Sequence, residues 1–209
     1  KNFHIFESKY GIPVIEVTKK MNQYQDTIKI LKPDFILVIG WYYMVPKSIR
    51  DLAPLGCAGI HASLLPNYRG GAPLVWAMIN GEKKTGVTFF HFSDGVDDGD
   101  IIAQEEFTIE NHDTIQNLLE KSEQATFNIL RTHLPLIAKG KAPRIKQNNS
   151  LATFYPQRCP EDGKIDWSKN VFEIYNFIRA ITKPYPGAFT FIENEKIIIW
   201  KAQPYDTKI

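Results

Sequence analysis

Apolar residues recur at helical spacing in one stretch of the chain and run continuously or alternate in the next. The two patterns take turns. Residues 14–17 read as a short strand, after which Met21, Tyr24, Ile28 and Leu31 recur every three to four positions until Pro33-Asp34 ends the helix. Residues 35–39, FILVI, are continuously apolar and β-branched, which predicts a central strand covered on both faces. Residues 46–52 suit a short helix, with Pro46 tolerated in its first turn, and 57–61 suit the next strand. A helix over 73–79 should stop at Asn80-Gly81, where glycine adopts the left-handed cap. Residues 85–92 and 101–109 read as strands. Asp113 then caps a long helix whose apolar face is Ile115, Leu118, Leu119, Ala125, Ile129 and Leu130. This βαβ rhythm predicts an α/β fold with a mostly parallel sheet flanked by helices.

The pattern changes after Gly140. KAPRIKQNNS is basic, polar and aperiodic, and divides a core over 1–140 from a C-terminal extension over 141–209. The extension predicts a helix within 166–181, with Val171, Ile174, Tyr175 and Ile178 on one side and Pro184-Tyr185-Pro186-Gly187 ending it. Residues 189–192 and 196–200 read as a hairpin around Glu193-Asn194-Glu195, the start of a small β subdomain. At the other end, KNFHIFESKYGIP carries neither an initiator methionine nor a signal-peptide pattern, so a strand–helix unit is expected upstream of it.

Composition narrows the class without naming it. With 209 residues, 44% of them hydrophobic and 23% charged, the chain can bury a sizeable core. A net charge of +2, spread along the chain, makes nucleic acid an unlikely general partner, although a local basic patch stays open. Two cysteines are too few for a disulfide framework or a zinc site, which points to a reduced, cytoplasmic chain. No apolar run approaches twenty residues, so no membrane span is expected.

The candidate chemistry lies between Cys57 and Asp100. His61 falls at the carboxyl end of a predicted strand, where open α/β sheets bind ligands. Position alone leaves a structural histidine as open as a catalytic one. The turn-rich loop DGVDDGD, residues 94–100, can bring Asp97 back to the same sheet edge; a solvated acidic turn or a cation site is the other reading. Its spacing does not match the twelve-residue calcium loop, and a metal is not expected.

HASLLPNYRGGAP, NGEKKTGVT and GVDDGDI, followed by RCPEDGKIDWSK and IRAITKPYPGAF, resemble the N10-formyltetrahydrofolate-dependent formyltransferase family, which includes the sugar-nucleotide N-formyltransferases and methionyl-tRNA formyltransferase. The likeness covers residues 11–201. It implies a Rossmann-like fold, N10-formyltetrahydrofolate as formyl-donor cosubstrate, no metal, and transfer to a primary amine. His61 would stabilise the oxyanion or relay a proton, and Asp97 would hold and polarise His61. Trp41, Tyr42, Tyr43 and Met44 would surround the pterin together with Asp94, Val96 and Asp98, while Ser63, Leu64 and Leu65 shape the loop beside the formyl group. Packing over the sheet is the plain alternative for the three rings, and core packing for the two leucines. Gly59, Arg69 and Gly70 go to the acceptor side, Arg69 either meeting an anionic substrate or the folate glutamate or forming a structural salt bridge.

One position departs from the family. Two residues before the histidine the family carries asparagine, whose amide bonds the formyl oxygen, and here that residue is Gly59. Loss of one oxyanion donor costs about 10²–10³ in kcat when the rest of a site is unchanged, so a catalytically impaired folate- or sugar-binding homologue is an alternative. For the acceptor, Trp41-Tyr42-Tyr43, Ala72-Pro73-Leu74-Val75-Trp76 and Pro184-Tyr185-Pro186-Gly187 are closest to enzymes that formylate UDP-4-amino-4-deoxy-L-arabinose, and little chain follows Trp200. A nucleotide-linked amino sugar is therefore the expected acceptor, with tRNA the alternative and a homo-oligomer left open.

Overall fold

The computed structural model describes residues 3–18 and 20–205. Its main sheet has four strands, β1 (Ile36–Val38), β2 (Cys57–His61), β4 (Lys84–His91) and β5 (Ile101–Thr108), in the order β1-β2-β4-β5. The fold is α/β and Rossmann-like, and the expectation of a mostly parallel sheet holds for the β1–β2 half. There Val38 lies beside Gly59 in parallel register, whereas β2–β4 and β4–β5 are antiparallel. For β4–β5 the reason is connection length. Nothing between His91 and Ile101 is long enough for a crossover helix, and a parallel pair needs one. Two shorter pairs complete the β structure: β3 (Arg69–Gly70) with β6 (Phe154–Tyr155), and β7 (Ala188–Ile192) with β8 (Glu195–Ile199).

There are six α-helices among the described residues: α1 (His4–Tyr10), α2 (Gln25–Ile30), α3 (Lys47–Arg50), α4 (Pro73–Ile79), α5 (Ile115–Ala138) and α6 (Val171–Ile181). α5 covers the sheet, burying Ala125, Ile129 and Ile137 against Ala58, Val87, Phe89 and Ile102. Full burial of each large aliphatic or aromatic side chain contributes roughly 1.5–3 kcal/mol. A second cluster joins Leu74 and Met78 of α4, Ile115 and Leu118 of α5, and Ile178 and Ile181 of α6. The extension therefore shares its hydrophobic core with residues before Gly140. None of the described helices is long and apolar enough to cross a membrane.

Several local expectations are corrected. Residues 14–17 form no ladder among the described residues, because an extended segment becomes a strand only with a partner. β1 is an edge strand of the described sheet, not a doubly covered one: Leu37 is 37% and Ile39 55% exposed. Thr114, not Asp113, caps α5, in a reciprocal box with Asn117. Asp113 is buried instead and accepts from the Glu110 amide and from Lys121 Nζ at 2.7 and 2.6 Å. Val171 is exposed, and α6 docks through Ile178 and Ile181. The hairpin turns on Glu193-Asn194 alone, both at positive φ, so Glu195 already belongs to β8.

Candidate active site

His61 closes β2 opposite Thr88, while the β4–β5 loop leaves β4 only after His91, which faces Ala58. The loop must double back along β2, by about 3.3 Å per strand residue, to bring Asp97 to the ring. It does so. Asp97 Oδ2 stands 3.5 Å from His61 Nδ1 and accepts the Gly70 N–H at 2.8 Å. On the other side His61 Nε2 is 2.7 Å from the Tyr68 carbonyl oxygen. A carbonyl only accepts, so Nε2 carries a proton, and Nδ1 is the nitrogen left to exchange one. With no proton between Nδ1 and Oδ2, two lone pairs would face each other; one shared proton makes the pair attractive. The imidazole edge also meets Phe90, with centroids 6.5 Å apart and planes at 84°.

Three backbone positions near this pair depart from ordinary geometry. Tyr68 and Asp97 sit at φ +60 and +50, and Gly70 at +97. Non-glycine residues in the left-handed region cost of order 1 kcal/mol or more and need a surrounding structure that holds them there. Tyr68 is held by a 2.8 Å bond from its N–H to Thr153 Oγ1, by its hydroxyl donating to Glu82 at 2.6 Å, and by stacking on Tyr155. That turn aims its carbonyl at His61. Gly70 is required by close approach as well, since a Cβ there would sit 2.4 Å from the Tyr155 oxygen across the β3–β6 pair.

Asp97 is fixed by residues that sequence reasoning missed. Gln147 donates from Nε2 to the carbonyls of both Asp97 and Gly99, each at 2.8 Å. Its Oε1 accepts from Arg69 Nε and Nη2 at 3.2 and 2.7 Å, which fixes the sense of the amide. Arg69 also donates to Asn149 at 2.7 Å. Buried and pointed at the 147–149 segment, Arg69 does not line the cleft, and its partners are amides, not the carboxylate of a salt bridge. Arg50 ties the opposite wall, donating to the Val45 and Phe92 carbonyls at 3.1 and 3.3 Å and pairing with Asp94. Gln147 falls in the aperiodic linker, where no pattern marks a side chain as structural.

A cleft of about 640 Å³ opens at His61 and Asp97. Its lining includes the mostly aromatic wall of Trp41, Tyr42, Tyr43, Met44, Phe92 and Val96 and the segments 70–75, 157–160 and 185–187. Trp41, Tyr42, Tyr43, Met44, Val96 and Gly70 thus reach it as expected, whereas seven other expected site residues do not line it. Ser63 is buried and donates to the Asn67 carbonyl at 2.6 Å; Leu65 is core, and Leu64 packs over Gly86. Asp94 points outward to Arg50, and Asp98 accepts from Ser93. Gly59, like Arg69, is enclosed. A Cβ at Gly59 would stand 2.7 Å from the Phe92 ring and 2.7 Å from the Val38 carbonyl. Phe92 therefore fills the place a side chain at 59 would take.

Two buried polar atoms nearby have no hydrogen-bond partner among the described residues, Trp41 Nε1 and His91 Nε2. Burial, with a smaller contribution from Arg144 and partial relief from Asp100, brings the His91 pKa down to about 4. Burial also holds the Cys57 thiol up at about 11.

Fold and cleft define an α/β protein with a histidine–aspartate pair in a ligand-sized cleft against an aromatic wall. The family follows from the chain itself. Residues 4–134 match formyl transferase and residues 159–209 match the formyl transferase C-terminal domain, so this chain belongs to the formyl transferase family. It is 41% identical to the bifunctional polymyxin resistance protein ArnA of Wigglesworthia glossinidia brevipalpis over 93% of its length and 30% of that protein's. It is 38% identical to a methionyl-tRNA formyltransferase of Desulforamulus reducens over 94% of its length and 62% of the relative's. The chain thus spans less than two thirds of these relatives. A 4-N formyltransferase from Francisella tularensis shares the fold, with a TM-score of 0.80 and 23% identity over 98% of this chain and 82% of that one.

Proposed function

We propose that this chain is the catalytic part of an N10-formyltetrahydrofolate-dependent formyltransferase that acts on the primary amine of a nucleotide-linked amino sugar. The observation that carries this reading is the His61–Asp97 pair, with Nδ1 3.5 Å from Oδ2 and Nε2 held by the Tyr68 carbonyl. The acceptor amine attacks the formyl carbon, forming a C–N bond, and the bond from that carbon to N10 of the folate breaks. Negative charge growing on the formyl oxygen is met by the proton on His61 Nδ1, which Asp97 orients. The attacking nitrogen gives up one proton to the pair and N10 takes one on leaving, so the transfer is proton-neutral overall.

The donor wall supports a flat ring with a polar edge. Trp41, Tyr42 and Tyr43 offer aromatic faces, and the buried Trp41 Nε1–H needs an acceptor that the described residues do not supply. With Gly59 enclosed under Phe92, position 59 offers the formyl oxygen no side-chain donor, which supports His61 Nδ1 in that role. A cleft of about 640 Å³ suits small molecules, and a net charge of +2 gives no overall electrostatic pull towards nucleic acid, both of which support a sugar nucleotide. Methionyl-tRNA formylation is the second reading, favoured by a relative 38% identical over 94% of the chain.

The test is incubation of the full-length protein with N10-formyltetrahydrofolate and a panel of 3-amino and 4-amino nucleotide sugars, initiator tRNA competing, with the product followed by mass. A formylated sugar is expected. Formylated tRNA alone would reverse the choice of acceptor, and no product at all would leave a folate- or sugar-binding module.

A further inference from the structure

Beyond the His61–Asp97 pair, the cleft has an uneven charge distribution. Among the described residues that line it, Asp97 is the one carboxylate and Arg158 the one lysine or arginine. Arg158 reaches the cleft from the segment after β6, which is tied to the catalytic side by the Gly70–Tyr155 register and by the Gly71 N–H donating to the Tyr155 carbonyl at 2.9 Å. Trp76 of α4 fixes the same segment, its Nε1 donating to the Pro156 carbonyl at 2.9 Å. The Arg158 guanidinium carbon lies 4.7 Å over the Trp76 ring and 5.6 Å over Phe177.

These aromatic contacts hold the plane of the guanidinium and leave most of its N–H groups uncommitted. Arg158 makes one hydrogen bond, from Nη2 to the Asp162 carbonyl at 2.7 Å, and no ion pair among the described residues. Burial lowers its pKa from the ordinary arginine value, the neighbouring Asp162 opposing that shift. A half-buried cation that no carboxylate pairs at salt-bridge distance among the described residues is costly, and an arriving anion relieves the cost. Five N–H groups in a planar fork match phosphate oxygens better than any other side chain does.

We infer that Arg158 is the anion receptor of the acceptor side, binding a phosphate of a nucleoside diphosphate group while the acceptor's amine end lies at Asp97. This assignment rests on the sugar-nucleotide reading above. Asp97 attracts an ammonium and repels phosphate, Arg158 does the reverse, and together they orient an acceptor that carries both.

The test reads binding, so it stands apart from turnover. UDP is titrated calorimetrically into the full-length wild type, Arg158→Ala and Arg158→Lys, with 5-formyltetrahydrofolate titrated in parallel. The expected result is at least a ten-fold rise in Kd for UDP in Arg158→Ala and a partial recovery in Arg158→Lys, where one ammonium replaces the fork. Folate affinity should stay within two-fold, which also reports that each variant is folded. A UDP affinity in Arg158→Ala within two-fold of wild type, or no UDP binding to the wild type at millimolar concentration, overturns the assignment. Loss of tRNA affinity with UDP affinity intact would overturn it as well, moving the contact to a nucleic-acid phosphate. UDP binding that depends on Arg158 without any formylated sugar would sink the proposed activity and leave the anion site standing.

Discussion

Gln147→Leu isolates the linker's hold on Asp97, because leucine keeps the bulk and deletes the amide. Three things lose a partner: the Asp97 carbonyl, the Gly99 carbonyl and the Arg69 guanidinium, which keeps Asn149. A carbonyl left buried without a donor costs about 1–3 kcal/mol, and a hydrogen bond to a charged group contributes about 1.5–3 kcal/mol. The acidic loop can avoid part of that cost by opening to water. If it does, Asp97 relaxes from φ +50 and its carboxylate withdraws from Nδ1 and from the Gly70 N–H. Destabilisation of about 2–4 kcal/mol is therefore expected, read as a lower urea midpoint with an unchanged slope. Displacing a catalytic group by about 1 Å costs on the order of 10²-fold, close to 2.7 kcal/mol of barrier. The proposed formyl transfer should fall by about that factor, mostly in kcat, and amide exchange over 94–99 should accelerate. A variant with a lowered midpoint but kcat within two-fold of wild type would show that Asp97 keeps its position without Gln147, refuting the argument.

Other perturbations probe separate parts of the molecule. His61→Ala and Asp97→Asn should each reduce turnover by about 10²–10⁴ with the thermal transition retained; near-wild-type rates in both would remove the proton path through Nδ1. Gly59→Ala places a Cβ against Phe92 and the Val38 carbonyl and should destabilise by about 1–3 kcal/mol. Phe92→Ala in that background should recover part of the loss, and strictly additive denaturation energies would contradict the contact. His91 is harder to protonate folded than unfolded, so the unfolded chain binds more protons between pH 6.5 and about 4. Its stabilisation is complete above pH 6.5 and is lost as pH falls towards 4, on the order of 3 kcal/mol at most; His91→Gln should flatten that slope, and an unaltered slope would assign acid lability elsewhere.

Much of the fold was legible because local chemistry and tertiary context agree. Residues 57–61 and 73–79 coincide with β2 and α4, since a β-strand run ending at His61 and a proline-led helix ending at Asn80-Gly81 carry their own boundaries. Agreement failed where a partner decides the outcome. Residues 35–39 are apolar enough for a buried strand, yet burial depends on what lies on each face, and Ile39 stays 55% exposed. Asp113 and Thr114 are both competent caps; the Asp113 carboxylate is taken by the Glu110 amide and Lys121 Nζ, which leaves the cap to Thr114. Within the site, Ser63, Leu64 and Leu65 belong to a recognisable motif, but their side chains turn inward. Motif membership says that a loop is near the chemistry and not which way each residue points.

The sequence by itself determined the α/β class, the positions of most elements, and the two residues on which the proposed formyl-transferring site rests. Periodicity, capping and turn chemistry are short-range and can be read along a line. Only the tertiary structure decided that Nδ1 and not Nε2 faces Asp97, that Gln147 and Arg69 hold the acidic loop, that Phe92 occupies the space beside Gly59, and that Arg158 enters the cleft. Each of these joins residues distant in the chain through a hydrogen bond, a close approach or a shared wall. Such pairings are set by where the elements pack, and no local pattern encodes them.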